Sequence, residues 1–302
     1  MRNSFQRSLL IPTNQIHIKM KNLKYISLLF IALFLFSCSS DESSTPQPVN
    51  EVSRLTKIKD IIDEAYTIEL YSETGVLEQG YNAISLRIKD NTTAEYISNS
   101  HAHISWKPVM QMTAMQHACP YSEVMPALGK QTLFNGYIVF QMAQNQSEYW
   151  KITLDYTIND MAHNITENIE VYATPRQRVT SFTGADNVRY IIALIEPSKP
   201  AVALNAMQVG LFKMENMMMF PIVDNYSIEI DPRMPSMGNH GSPNNVNLTQ
   251  HADRFYHGKL SLTMTGYWKI NLQLFDQAQE LLKGEQVTED NPASSLYLEL
   301  EF

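Results

Sequence analysis

The segments "EYWKITLDY" (Glu148–Tyr156) and "GYWKINLQL" (Gly266–Leu274) share a Tyr-Trp-Lys-Ile core and the same alternation. Trp150, Ile152 and Leu154 fall on one face, and Trp268, Ile270 and Leu272 fall on the equivalent face of the second copy. A period of two is that of a strand with one side in a core and the other in water. Upstream, "GYIVFQM" from Gly136 matches "GKLSLTM" from Gly258, which aligns Met142 with Met264, and "YNAISL" from Tyr81 matches "LNAMQV" from Leu204. Most of these pairs lie 122 or 123 residues apart, whereas the two tryptophans lie 118 apart. A hairpin loop four residues shorter in the second copy accounts for the difference, because loops absorb length changes that strands do not. The chain therefore reads as a tandem duplication with its seam near "YATPRQRVTSF", residues 172–182.

Within each copy, short alternating runs ("YTIELYS", "AISLRI", "HAHISW"; then "YIIALIE", "YSIEI", "LYLELEF") are separated by Asn, Asp, Gly and Pro. That pattern predicts an all-β protein of two tandem immunoglobulin-like antiparallel β-sandwich domains, over residues 53–175 and 176–302. Two domains also suit a chain of 302 residues. Helix is expected in only two short places, "RLTKIKDIIDEA" from Arg54 and "DQAQELLKGE" from Asp276.

The amino terminus reads as an address. From Met20, the better translational start, Lys21 and Lys24 precede an apolar run from Ile26 to Phe36, then Ser37 and Cys38. This is a secretory signal over residues 1–37, too short to span a bilayer. "LFSC" resembles the lipobox of bacterial lipoproteins, which implies acylation of Cys38 and membrane attachment through a lipid anchor. Residues 38–52, rich in Ser and Pro, form the expected flexible tether. "SSDES" behind Cys38 is similar to the acidic signals that direct some Bacteroidota lipoproteins to the outer face of the outer membrane, so an outer-membrane lipoprotein, periplasmic or surface-facing, is expected.

The formal net charge is −8, and residues 1–37 hold five basic and no acidic residues, so their removal makes the remainder more acidic still. An acidic surface argues against a nucleic-acid partner and tolerates cations. No Ser-His-Asp order, phosphate-binding glycine loop, HExxH or paired-carboxylate spacing is present, so no catalytic activity is expected.

Two loops carry the most chemistry. In "MQMTAMQHACP" from Met110 and "DPRMPSMGNHG" from Asp231, Met112 aligns with Met234 and Met115 with Met237; after one inserted residue, Asn239, His117 aligns with His240. Flanking Pro and Gly place the second stretch in a loop. Thioether and imidazole donors together suit Cu(I), whereas Ca and Mg require oxygen. Cys119, two residues beyond His117, would add a thiolate to the first set, where the second copy has Ser242. The competing explanation is packing, since methionine is an adaptable core residue and the chain holds 16 of them. "NMMMF" from Asn216 reads that way, as an interior or strand run. His101 and His103 share one strand face, His257 could reach the loop, and His251 reads as solvated.

"DPRMPSMGNHG" followed by "FYHGKLSLTMTGYWKINL" resembles the YtkA-like domain, with its Met-Pro-x-Met-x-His loop, a Gly-led strand ending in Met and a Gly-x-Trp strand. The second copy carries this over residues 231–274. The first is a degenerate version, with Thr113 at the proline position. The resemblance implies a small extracytoplasmic sandwich associated with copper handling, with Met234, Met237 and His240 as ligands and Met112, Met115 and His117 added by the repeat. Two functions follow as expectations. One is a lipid-anchored protein that holds or relays Cu(I) to a copper-receiving protein. The other is a non-catalytic envelope interaction module that uses the methionines as a contact surface.

Overall fold

The computed structural model describes residues 50–302, so the expected signal peptide, Cys38 and most of the expected tether lie outside the described residues. The first half contains β1 (Thr56–Ile62), β2 (Tyr66–Ser72), β3 (Leu77–Glu78), β4 (Gly80–Asp90), β5 (Ala102–Gln111), β6 (Gln116–Ala118), β7 (Met125–Pro126), β8 (Phe134–Phe140), β9 (Tyr149–Ile158), β10 (Met161–Ile169) and β11 (Val171–Tyr172). The second contains β12 (Val179–Thr183), β13 (Arg189–Glu196), β14 (Leu204–Lys213), β15 (Ser227–Met234), β16 (His240–Gly241), β17 (Val246–Gln250), β18 (Tyr256–Ser261), β19 (Tyr267–Phe275), β20 (Leu281–Lys283) and β21 (Tyr297–Glu301). Among the described residues there is no α-helix, only a 3₁₀ turn at Pro235–Met237.

The first half pairs its strands in the orders β1-β2-β4-β8-β7 and β10-β9-β5-β6. Leaving β1 aside, this is the antiparallel order of the immunoglobulin sandwich, with β6 as the extra strand beside the third. The buried tryptophan expected on that third strand is Trp106 of β5, whose indole N–H donates to the Ser122 carbonyl at 2.7 Å. The second half repeats both orders, as β12-β13-β14-β18-β17 and β16-β15-β19-β21. It differs by pairing β17 with β15 at Ser227–Thr249 and Ile228–Leu248, which joins its two sheets into one.

The alternation read from the sequence is what fills the two cores. Trp150, Ile152 and Leu154 lie in a core drawn from residues 61–171, and Trp268, Ile270 and Leu272 lie in one drawn from residues 190–300. A smaller apolar cluster, including Val139, Ile191 and Phe212, joins the halves. The duplication extends to polar detail. The Asn82 side-chain amide donates to the carbonyls of Glu78 and Gly80, and its carbonyl oxygen accepts from Glu78 N–H. Asn205 does the same with Ala201 and Ala203. The repeated glycines serve close approach: a Cβ on Gly136 would stand 2.5 Å from the Trp106 ring, and one on Gly258 would stand 2.4 Å from the Val246 carbonyl oxygen.

Neither expected helix forms. Residues 56–62 are the edge strand β1, paired with β2 across a bulge between Lys57 and Lys59. The bulge breaks the period of two, so the apolar residues look irregularly spaced in sequence. Beyond β19, Asp276 turns the chain back by accepting from the N–H groups of Ala278 and Glu280, and Gln279 sits at φ 63°, outside the helical region. Leu281–Lys283 then returns as β20.

On the outer face of the first half, Glu69 is 5% exposed and takes charge-assisted bonds from Lys57 at 2.7 Å and Arg87 at 2.6 Å, with the Tyr71 hydroxyl at 2.6 Å. Burial alone would raise its carboxyl, but these donors outweigh it and hold it at about 2, down from 4.5. A depressed carboxyl contributes stability above its unfolded value and loses it as pH falls through the folded one. Urea denaturation across the acid range should therefore show stability falling between pH 4.5 and 2. In Glu69→Gln that acid limb should flatten and the neutral-pH stability should drop; an acid limb identical to the parent's would show that Glu69 carries none of it.

Candidate functional site

β5 and β6 form a tight hairpin that presents the first methionine set. Met110 pairs with His117 and Gln111 with Gln116, and Met112 N–H donates to the Met115 carbonyl at 3.0 Å, closing the turn over Thr113 and Ala114. Met110 is fully buried, Met112 lies at the margin of the first core, and Met115 is 51% exposed. The His117 ring meets the Trp150 ring edge-on, 5.8 Å between centroids. Its Nδ1 lies 2.8 Å from the Ala118 carbonyl oxygen. A carbonyl can only accept, so Nδ1 carries a proton, and in the neutral ring the lone pair is on Nε2. No hydrogen bond among the described residues engages that nitrogen. A histidine whose second nitrogen is anchored to a carbonyl in this way is oriented as metal-bound imidazoles usually are.

Met112, Met115 and His117 line one cleft of about 480 Å³. Met142, two residues past the end of β8, joins them, its carbonyl held by the Trp150 indole N–H at 3.0 Å. The opposite wall comes from the second half and includes Met214, Met217 and Phe220. Here the "NMMMF" run departs from expectation. It is a tight turn, with Glu215 N–H bonded to the Met219 carbonyl at 3.0 Å and Met218 N–H to the Asn216 side-chain oxygen at 2.8 Å. Met217 and Met219 are 37% and 53% exposed, so the run is not interior. Asn216 was the available signal, because Asn side chains initiate turns by capturing a backbone N–H two residues on.

The remaining sequence candidates do not gather there. Cys119 is fully buried in the first core and does not line the cleft. Burial pushes its thiol well above the ordinary value, and the structure does not bring it to the cleft that His117 lines. Met234 is 3% exposed and packed in the second core, whereas Met237 is 57% exposed in the 3₁₀ turn and His240 faces solvent. The second loop thus turns its thioethers to opposite environments.

Strand pairing also revises the internal alignment. Met110 lies opposite both Trp150 and His117. Met234 lies opposite His240, one step beyond the Arg233–Lys269 pair and so level with Trp268. The structural counterpart of Met234 is therefore Met110, not Met112. Six residues separate Met110 from His117 and five separate Met234 from His240, with Gly238 and Asn239 in consecutive left-handed conformations at φ 66° and 59°. A slip of two preserves the face of every side chain, which is why sequence matching tolerated it.

Among the described residues, the other histidines do not line the cleft. His101 and His103 sit at and beside the start of β5, and His257 bonds Asp253 at 2.8 Å with its ring 4.4 Å from that of His251.

No family model and no curated protein matches the chain. Among solved structures, it is similar to FdeC, a broadly conserved Escherichia coli adhesin, at 11% identity over 75% of this chain and 60% of that one, with a TM-score of 0.23. A DUF4785 family protein from Legionella pneumophila aligns at 9% identity over 72% of this chain and 54% of that one, also with a TM-score of 0.23. The chain thus spans between about half and three fifths of the length of these structures.

Mass spectrometry of the peptide carrying Cys119 should show it untouched by a soluble alkylating reagent in the native protein and fully modified in denaturant. Rapid native labelling would instead place the thiol at the surface.

Proposed function

We propose that the protein is an extracytoplasmic copper-binding protein, lipid-anchored through Cys38, that holds Cu(I) in the methionine-lined cleft and relays it to a recipient protein. One observation carries the reading: a histidine with an oriented, unengaged Nε2 and the thioethers of Met112 and Met115 line one cavity. The donors fit the ion. Thioether sulfur is soft and neutral and imidazole is borderline, a set that favours Cu(I) over Zn, Ca or Mg.

Packing explains the same methionines less well. Full withdrawal of such a side chain from water is worth about 1.5–3 kcal/mol. Met115 at 51% exposure secures about half of that, and a leucine would secure as much. Neutral donors release a monovalent ion more readily than thiolates would, as transfer requires. The resemblance of residues 231–274 to the YtkA-like domain points the same way. We assign the protein a binding role and not a catalytic one.

Competition against a Cu(I)-specific chromogenic chelator under reducing conditions tests the reading. The parent should withdraw Cu(I) from the chelator. Met112→Leu with Met115→Leu, or His117→Ala alone, should weaken binding by at least about tenfold, while Cys119→Ala should leave it unchanged. A parent that fails to compete, or loop variants that match it, would overturn the assignment.

A further inference from the structure

The two halves of the chain contribute to the cleft unequally, and the contribution of the second half lies outside both methionine-histidine loops. Met214 ends the strand β14 region, where its N–H donates to the Arg189 carbonyl at 2.8 Å, and Met217 sits in the turn that follows. That turn is fastened to the first half by a main-chain bond, Ala118 N–H to the Met217 carbonyl at 2.8 Å. Ala118 directly follows His117, so the turn is held against the strand that carries the imidazole. Met217 itself is 37% exposed, an exposure that burial energetics does not favour for so large an apolar side chain. A polar residue would make the same turn.

In the second half's own loop the two thioethers part company. Met234 is committed to the core, and Met237 projects into solvent from the turn Pro235–Met237.

On the copper reading above, we infer that the protein holds one ion per chain at a composite site, gripped between the β5–β6 hairpin and the Asn216–Met219 turn, with Met214 and Met217 as donors from the second half. Methionine has three rotatable side-chain bonds, so thioethers rooted on both walls can adjust toward an ion held in the cleft between them. Met142 supplies a further thioether from the first half. The ion then ties the halves together, and the second methionine-histidine loop is a structural relic of the duplication that takes no metal.

Ag(I), a soft monovalent stand-in for Cu(I), and Cu(I) itself should be titrated into the full chain labelled with ¹³C at the methionine methyls. One equivalent should shift the Met214 and Met217 resonances together with those of Met112 and Met115, leave Met234 and Met237 in place, and saturate. Met214→Leu with Met217→Leu should weaken binding by about tenfold, while Met237→Leu should not. Binding that is indifferent to the Met214 and Met217 pair and leaves their resonances unmoved would overturn the composite site while leaving copper binding intact. Uptake of a second equivalent with shifts at Met237 would also overturn it. No binding of either ion would end both proposals. The resonances of the unmutated parent report independently of whether any variant folds.

Discussion

A buried indole must spend its N–H, and in this protein the acceptor is fixed twice by the same device. Trp150 donates to the Met142 carbonyl at 3.0 Å and Trp268 donates to the Met264 carbonyl at 3.1 Å. Both tryptophans are fully buried, so an unmet donor would cost about 1–3 kcal/mol. The bond sets where the strand before the loop must end, whatever the loop's length, and so allows the first loop to be longer than the second. It also stations Met142 at the rim of the first core, beside the imidazole that leans edge-on against the same tryptophan. The cleft inherits its position from the core.

The copies have kept their frames and changed their tips. Strand order, the asparagine-bracketed loop before β4 and β14, and the glycine that opens the approach of β8 and β18 recur in both. What differs is the hairpin tip. Two residues in left-handed conformation shorten the second one, whose Met234 lies in the core as Met110 does in the first, and the pairing of β17 with β15 closes the second half along one side. In the first half the tip is one residue longer and sits beside the turn that its neighbour supplies.

Sequence alone made the alternation and the duplication legible, because the same Trp-Lys-Ile spacing recurs and each apolar position on it is buried. It also brought Met112, Met115 and His117 into view, and these do share a cavity. Other elements were hidden for physical reasons. The bulge at Lys57–Lys59 disguised β1 as irregular, and Asp276 spends its carboxylate on a turn where a helix start was read. Met214 and Met217 could not be foreseen as cleft residues, since they reach the site only through the docking of one half on the other. Cys119 lies in the core and apart from the cleft because β6 ends at Ala118, so the period of two that would set it on the same face as His117 no longer applies.

The first sheet ends in β1, whose outer edge would offer unpaired main-chain groups to another molecule. The bulge twists that edge, and Lys59 reaches from it to Glu167 on the opposite sheet at 2.8 Å, laying a charged strap across the opening. A flat, apolar margin there would invite copies to add on side by side and grow into fibrils. This margin is barbed against that, so molecules brought close together can remain separate.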